Sequence, residues 1–262
     1  MKKLLVCDLD GTLLDENNHI DNRSLTLLKK YITSGNDFCI CTGRLDEDVK
    51  YVEKLLGVSG EYRISQNGAV VYNRNNEVVS AETIPDKLLP MINNIVFNQG
   101  LRVEVSTIAN RYFPSPRDPS QVAEFIDTSI VKPELESAVL RSDFHAVTYL
   151  IFGDEASFQP LVKRFKEELG GLVNVQQTSP SSLEIFSPNV SKGIAVKDLI
   201  KRQGYSSNQV YVAGDAGNDI AMFSLTPHSF AVGHLVNDDT IAAANYHVNN
   251  IGDLIEMMGV NL

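Results

Sequence analysis

Two carboxylates two positions apart, Asp8 and Asp10, stand where an apolar run ends, in Asp8-Leu9-Asp10-Gly11-Thr12-Leu13-Leu14. Strand geometry points both to the same side, and Gly11 lets the backbone turn away sharply. In open α/β sheets ligands bind beyond the carboxyl ends of strands, so acids placed here lie where chemistry happens. Such a pair can hold a hard cation, or it can divide nucleophile and proton-transfer roles. Three other clusters share the pattern. Thr42-Gly43-Arg44 follows an apolar run, Ser191-Lys192-Gly193 opens a helical stretch, and Gly214-Asp215 with Asn218-Asp219 follows another apolar run. Singly each has an ordinary reading: Thr42 as a strand-end hydroxyl, Lys192 as a solvated helix residue, Asp215 and Asp219 as acids favoured at a helix N-terminus.

The elements that must position them alternate as in an α/β fold. Strands are expected at 4–9, 38–41, 209–213 and 229–232, as continuous apolar runs suited to a parallel sheet buried on both faces. Helices are expected at 24–34, 46–56, 191–203, 218–224 and 238–244. The middle differs. Strands at 102–106, 145–152, 172–177 and 183–186 show more alternation, with helices at 87–98, 120–126 and 157–169 between them. Residues 83–187 therefore read as an α+β module inserted into an outer domain of residues 1–82 and 188–262.

Composition excludes several classes. The 262 residues carry 23 Lys+Arg against 33 Asp+Glu, a net charge of −10, which disfavours binding to nucleic acid or an anionic membrane. The apolar start stops at Asp8, too short for a signal peptide, and no run approaches the roughly 18 apolar residues of a membrane span. Cys7, Cys39 and Cys41 are odd in number and lie in apolar runs, as small buried residues of a reducing cytoplasm do. A Cys-x-Cys metal site lacks completing ligands. His19, His145, His228, His234 and His247 are scattered without metal-ligand spacing. Neither a Gly-x-Ser-x-Gly elbow nor a Gly-x-x-x-x-Gly-Lys loop occurs.

Asp8-x-Asp10-Gly11-Thr12-Leu13 resembles the first motif of the haloacid-dehalogenase (HAD) superfamily of phosphatases and phosphotransferases. Thr42, Lys192 and Gly214-Asp215-x-x-Asn218-Asp219 resemble the second, third and fourth motifs, in the family's order. The long stretch between Thr42 and Lys192 is where the Cof-like subclass (IIB) carries its α/β cap, and Gln66-Asn67-Gly68-Ala69 is similar to that subclass too. The resemblance implies a Rossmann-like, doubly wound parallel sheet core with an inserted α+β cap. It implies Mg²⁺ as cofactor and a small phosphorylated metabolite, such as a sugar phosphate, as substrate of a monomer or homodimer. Asp8 is then the nucleophile that forms an aspartyl-phosphate, and Asp10 the acid/base. Thr42 donates to a phosphoryl oxygen, assisted by the Gly43 N–H, and Lys192 supplies a point charge. Arg44, Asn67, Gly68 and Asn218 fall on the substrate or phosphate side. Asp8, Asp10 (through its carbonyl), Asp215 and Asp219 form the metal set, with Asp219 also suited to orienting Lys192.

Two positions depart from the family pattern: Asn189 replaces a frequent glycine, and Val232-Gly233-His234 replaces a Gly-Asn pair. In the cap, Glu184, Arg111, Arg117 and Tyr112 are candidates to read the leaving group. A phosphomutase is the alternative enzyme, and a non-catalytic phosphoacceptor the alternative of another class; Asp10, suited to fast hydrolysis, argues for turnover. The four site acids against Lys192 leave a local charge of −3, which repels a phosphate dianion until a divalent cation binds.

Overall fold

The computed structural model describes residues 2–117 and 124–260. The chain divides into two compact units, Met1–Ser80 with Ser191–Leu262, and Ala81–Val190. These borders lie a few residues outside the 83–187 read from sequence, and the reason is local. Ser187 Oγ and Asn189 Nδ2 both donate to Glu82 Oε1, at 2.7 and 3.0 Å, so the two connecting segments belong to the inserted unit.

The first unit is built on an eight-stranded sheet. Its strands are β1 (Leu4–Cys7), β2 (Asp37–Cys41), β3 (Tyr62–Ser65), β4 (Val70–Asn73) and β5 (Val78–Ala81) from the first segment. The helices α1 (Asn22–Thr33) and α2 (Asp46–Leu56) lie among them in the chain. In unit two come α3 (Leu89–Val96), β6 (Arg102–Ser106), β7 (Arg111–Phe113), β8 (Ile130–Val131), α4 (Leu135–Val139), β9 (Thr148–Phe152), α5 (Glu155–Leu169), β10 (Asn174–Ser179) and β11 (Ser182–Phe186). The chain then returns to the first unit with α6 (Lys192–Gln203), β12 (Val210–Gly214), α7 (Ile220–Phe223), β13 (Ser229–Val232), α8 (Asp238–Ala243), β14 (Tyr246–Val248) and α9 (Ile251–Met257).

Sheet order in the first unit is β14-β13-β12-β1-β2-β3-β4-β5. Neighbours from β14 to β3 pair in parallel, and β4 turns back antiparallel on β3. From β1 the chain proceeds one way to β2 and, much later, the other way through β12. The crevice between the ends of β1 and β12 is therefore the topological switch point, where Rossmann-like sheets bind ligands. Every residue of β1 and β12 is buried. Leu4, Val6, Cys39, Val210 and Val212 pack on one face with Val196 and Leu199 of α6 and Phe223 of α7. Period-two alternation sends Leu5, Cys7, Phe38 and Ile40 to the other face.

The second unit has a six-stranded sheet, β10-β11-β9-β6-β7-β8, antiparallel except for β7 with β8. Val103, Tyr149, Ile151, Leu183 and Ile185 form its core with Ile92, Ile95, Phe158 and Phe165 of the helices. The helix expected at 120–126 falls largely on residues outside those described.

Alternation sends Glu104, Leu150 and Glu184, which are in register across β6, β9 and β11, to the opposite face. Glu104 is 2% exposed, and its Oε2 has no hydrogen-bond partner among the described residues. Burial pushes its carboxyl up to about 7, against the pull of Arg111, Arg117 and Arg102. The folded chain thus keeps a proton that the unfolded chain releases above 4.5. As pH rises through this window stability falls by ~1.4 kcal/mol per unit, about 3–4 kcal/mol in all. Replacing Glu104 by Gln should therefore raise the urea midpoint at about pH 8.5 and give much less gain near pH 4. An equal difference at both values would show that Glu104 ionises as freely folded as unfolded.

Candidate active site

Asp8 is the first residue beyond β1, and its N–H continues the sheet by donating to Ala213 O at 3.0 Å. The chain then folds into a tight loop in which Leu13 N–H donates to Asp8 O and Leu14 N–H to Leu9 O. Gly11 sits at φ +80°, and a β-carbon there would lie 2.4 Å from Asp215 Oδ2. Glycine is thus required twice over, for the backbone angle and for the close approach. Thr12 Oγ1 donates to Asp215 Oδ1 at 2.8 Å. Because β1 and β12 are neighbours, their strand-end acids Asp8 and Asp215 emerge side by side at the switch point.

Lys192 is the first residue of α6, whose N-cap Ser191 accepts from the Ile194 N–H. A β-carbon on Gly68, at φ +101°, would lie 2.3 Å from Ser191 O, so only glycine lets this turn support the helix start. Lys192 is 1% exposed, and its Nζ lies 2.7 Å from both Asp8 Oδ1 and Asp219 Oδ1. Asp219, fully buried, accepts at Oδ2 from the Asp215 and Ala216 N–H groups, each at 3.1 Å. Both of its oxygens are engaged. That arrangement suits orienting Lys192 better than binding a metal directly.

Thr42 follows β2 and is 1% exposed. Its Oγ1 accepts from the Arg44 N–H at 3.2 Å, which leaves the hydroxyl proton for another acceptor. Its carbonyl accepts from the Asn67 N–H at 2.9 Å. Gln66 and Asn67 both have positive φ, 51° and 56°, an arrangement non-glycine residues adopt at a strain of order 1–3 kcal/mol each. The strained turn brings the Asn67 amide to Gly43 and to Asn218, whose Nδ2 donates to Asn67 Oδ1 at 3.1 Å. Asp10 has a separate partner. Its half-exposed carboxylate is gripped by Arg44, with Nε to Oδ2 and Nη2 to Oδ1 both at 2.8 Å.

The first unit thus gathers Asp8, Asp215, Asp219, Lys192 and Thr12 at its centre, with Asp10 and Arg44 as a pair and Thr42, Gly43, Asn67, Gly68 and Asn218 as a third cluster. Sequence reasoning left Thr12 out of the site although it lies inside the first motif. It also gave Arg44 no protein partner. The four residues named in the second unit each have partners within that unit. Arg111 and Arg117 pair with Glu124, Arg117 also with Asp127, Tyr112 packs on Phe144, and Glu184 accepts from Thr178.

Charge at the centre is unbalanced. One ammonium faces two buried carboxylates, and carboxylate oxygens of Asp8, Asp215 and Asp219 lie within 4.8 Å of one another. Burial pushes Asp8 up to about 8; Lys192 opposes the shift while Asp219 and Asp215 add to it. Burial also raises Asp215, despite the Thr12 hydrogen bond. For Lys192 burial acts downward, yet Asp8 and Asp219 overcome it and raise the ammonium. An all-oxygen, acidic set short of positive charge fits a hard divalent cation, with Asp8 and Asp215 as the residues to hold it.

A Rossmann-like core with a buried acid and lysine at its switch point defines an α/β enzyme, and comparison with known proteins gives its kind. The profile of the haloacid dehalogenase-like hydrolases matches residues 5–251. A Mycoplasma pneumoniae protein named "Putative phosphatase" is 31% identical over 237 residues, 83% of this chain and 80% of its own. A crystal structure from Thermotoga maritima has a TM-score of 0.87 at 23% identity, covering 100% of this chain and 98% of that one. The structure of an HAD subclass IIB sugar phosphatase has a TM-score of 0.78 at 18% identity, covering 99% and 100%. Both structures share the fold. The chain belongs to the haloacid dehalogenase-like hydrolase family and is a hydrolase of the phosphatase kind.

Proposed function

We propose that the chain is a Mg²⁺-dependent phosphatase that hydrolyses a small phosphorylated metabolite, of the sugar phosphate kind, through an aspartyl-phosphate on Asp8. The observation that carries this reading is Asp8 itself: a buried carboxylate at the switch point, 2.7 Å from Lys192 and beside Asp215. A carboxylate oxygen of Asp8 attacks phosphorus in line, and the leaving oxygen takes a proton from Asp10. Water then attacks the acyl phosphate, Asp10 recovers the proton, and Asp8 returns with release of phosphate. Lys192 faces the transferred group as a fixed positive charge, and the Thr42 hydroxyl and Gly43 N–H donate to its oxygens. The Asn67 and Asn218 amides, hydrogen-bonded to each other, are proposed to serve the same group. Asp8 and Asp215, with the Asp10 carbonyl, would hold Mg²⁺, and the cation would supply charge neutralisation for phosphoryl transfer.

The unit Ala81–Val190 is proposed as the cap that selects the leaving group. Support for a sugar phosphate is the shared fold with the sugar phosphatase. Cys7, Cys39 and Cys41 are all buried and free, in keeping with a reducing cytoplasm, and no helix of the described residues is long and apolar enough to cross a membrane. The test is a screen of phosphorylated metabolites scored by phosphate release with Mg²⁺ and with EDTA. Release from sugar phosphates only with Mg²⁺ is expected. An isomerised sugar phosphate without free phosphate, or equal release in EDTA, would overturn the reading.

A further inference from the structure

Asp10 has a difficulty that its partners resolve. It follows a buried leucine and precedes Gly11, and its side chain is 44% exposed. Left alone, such a side chain samples several rotamers, whereas a proton donor must hold one position relative to the leaving oxygen. The Arg44 fork supplies that constraint with two parallel bonds of 2.8 Å. Arg44 is itself held. Its N–H donates to Thr42 Oγ1, its carbonyl accepts from the Gln66 N–H at 2.9 Å, and Nη1 lies 3.6 Å from Asp48 Oδ2 at the start of α2. Asp48 is 2% exposed, so the far edge of the guanidinium is anchored in the interior.

We propose that Arg44 is a positioning residue for Asp10: the bidentate fork, braced by Asp48, fixes the carboxyl that serves the leaving oxygen. Each carboxylate oxygen has two lone-pair directions and the fork uses one on each, so a direction remains for the transferred proton. Lysine cannot substitute. A point charge on a flexible stem binds one oxygen and leaves the carboxyl free to turn. The proposal rests on the reading of Asp10 as the acid, and it makes a claim about leaving groups that a phosphate-binding arginine does not. An aryl oxide departs without a proton, whereas a sugar alkoxide needs one.

The experiment measures kcat/KM for 4-nitrophenyl phosphate and for a hexose 6-phosphate, a ratio that reports steps through departure of the leaving group and excludes the later hydrolysis. In Arg44→Lys and Arg44→Gln the loss on the sugar phosphate should exceed that on the aryl phosphate by at least about tenfold. Asp10→Asn should show a similar or larger disparity, and Asp10→Asn/Arg44→Lys no more than Asp10→Asn alone. Equal losses on both substrates, or disparities that multiply in the double variant, would overturn the role of Arg44. If Asp10→Asn itself shows no disparity, the acid assignment fails first and the role of Arg44 falls with it.

Discussion

Replacing Asp8 by Asn should cut phosphate release by about 10³-fold or more while making the metal-free protein more resistant to heat at pH 8. The first effect follows from removing the proposed nucleophile. The second follows from the unbalanced centre. Lys192 lies 2.7 Å from both Asp8 and Asp219, and burial pushes Asp8 up to about 8. A carboxyl raised in the folded state adds stability below its ordinary value of 3.8 and loses that contribution as pH climbs towards 8. A neutral amide in its place has no such loss, and it leaves Lys192 paired one-to-one with Asp219. The variant should therefore gain most above pH 8 in EDTA and least near pH 4. Mg²⁺ should narrow the gap by stabilising the wild-type protein, whose Asp8 and Asp215 can hold it. Thermal melts in EDTA and in Mg²⁺ decide the matter. A variant less stable than wild type in EDTA at pH 8 would show that the Asp8–Lys192 contact outweighs the burial of a second charge.

The same physics explains what could be read from the residues. β1, β2, β12 and β13 announce themselves because a parallel strand covered on both faces must be apolar throughout. β3 carries Arg63 in its centre, which reads as a solvated residue. In the fold it is buried, with Nε 2.7 Å from Asp46 Oδ1 and Glu53 3.8 Å from Nη1, partners that sequence does not place beside it. β5 and β14 are short and largely exposed, so neither shows a buried pattern. α7 is shorter than the expected 218–224, spanning Ile220–Phe223, because Asp219 turns its carboxylate to the backbone of 215 and 216 and to Lys192. In the candidate site, Asp8 and Asp10 stood out at the end of an apolar run, while Asp215 and Asp219 were singled out by their resemblance to a family motif. Their partners were not. The Thr12–Asp215 and Arg44–Asp10 bonds join residues far apart in the chain, and only the sheet order brings them together.

Lys192 carries the other large expected effect, and it separates charge from shape. Methionine has nearly the same length and no charge, so Lys192→Met would leave Asp219 buried without its cation and Asp8 without either. Removing one partner of a buried pair costs about 3–5 kcal/mol, and under the proposed mechanism activity should fall with it, since the fixed positive charge assigned to the phosphoryl group is gone. A loss of both properties alone does not distinguish catalysis from collapse of the fold. Lys192→Met/Asp219→Asn does. The asparagine introduced at position 219 can still accept from the N–H groups of 215 and 216 through its carbonyl, and its amide nitrogen can turn towards Asp8. No charge is then orphaned at that position. Urea unfolding should show most of the stability restored, with phosphate release still lost. If the double variant regains activity along with stability, Lys192 serves only to hold Asp219 in place. If it regains neither, the pair has a packing role beyond its charge. Restored folding without restored turnover is the outcome that makes Lys192 a catalytic cation rather than a structural one.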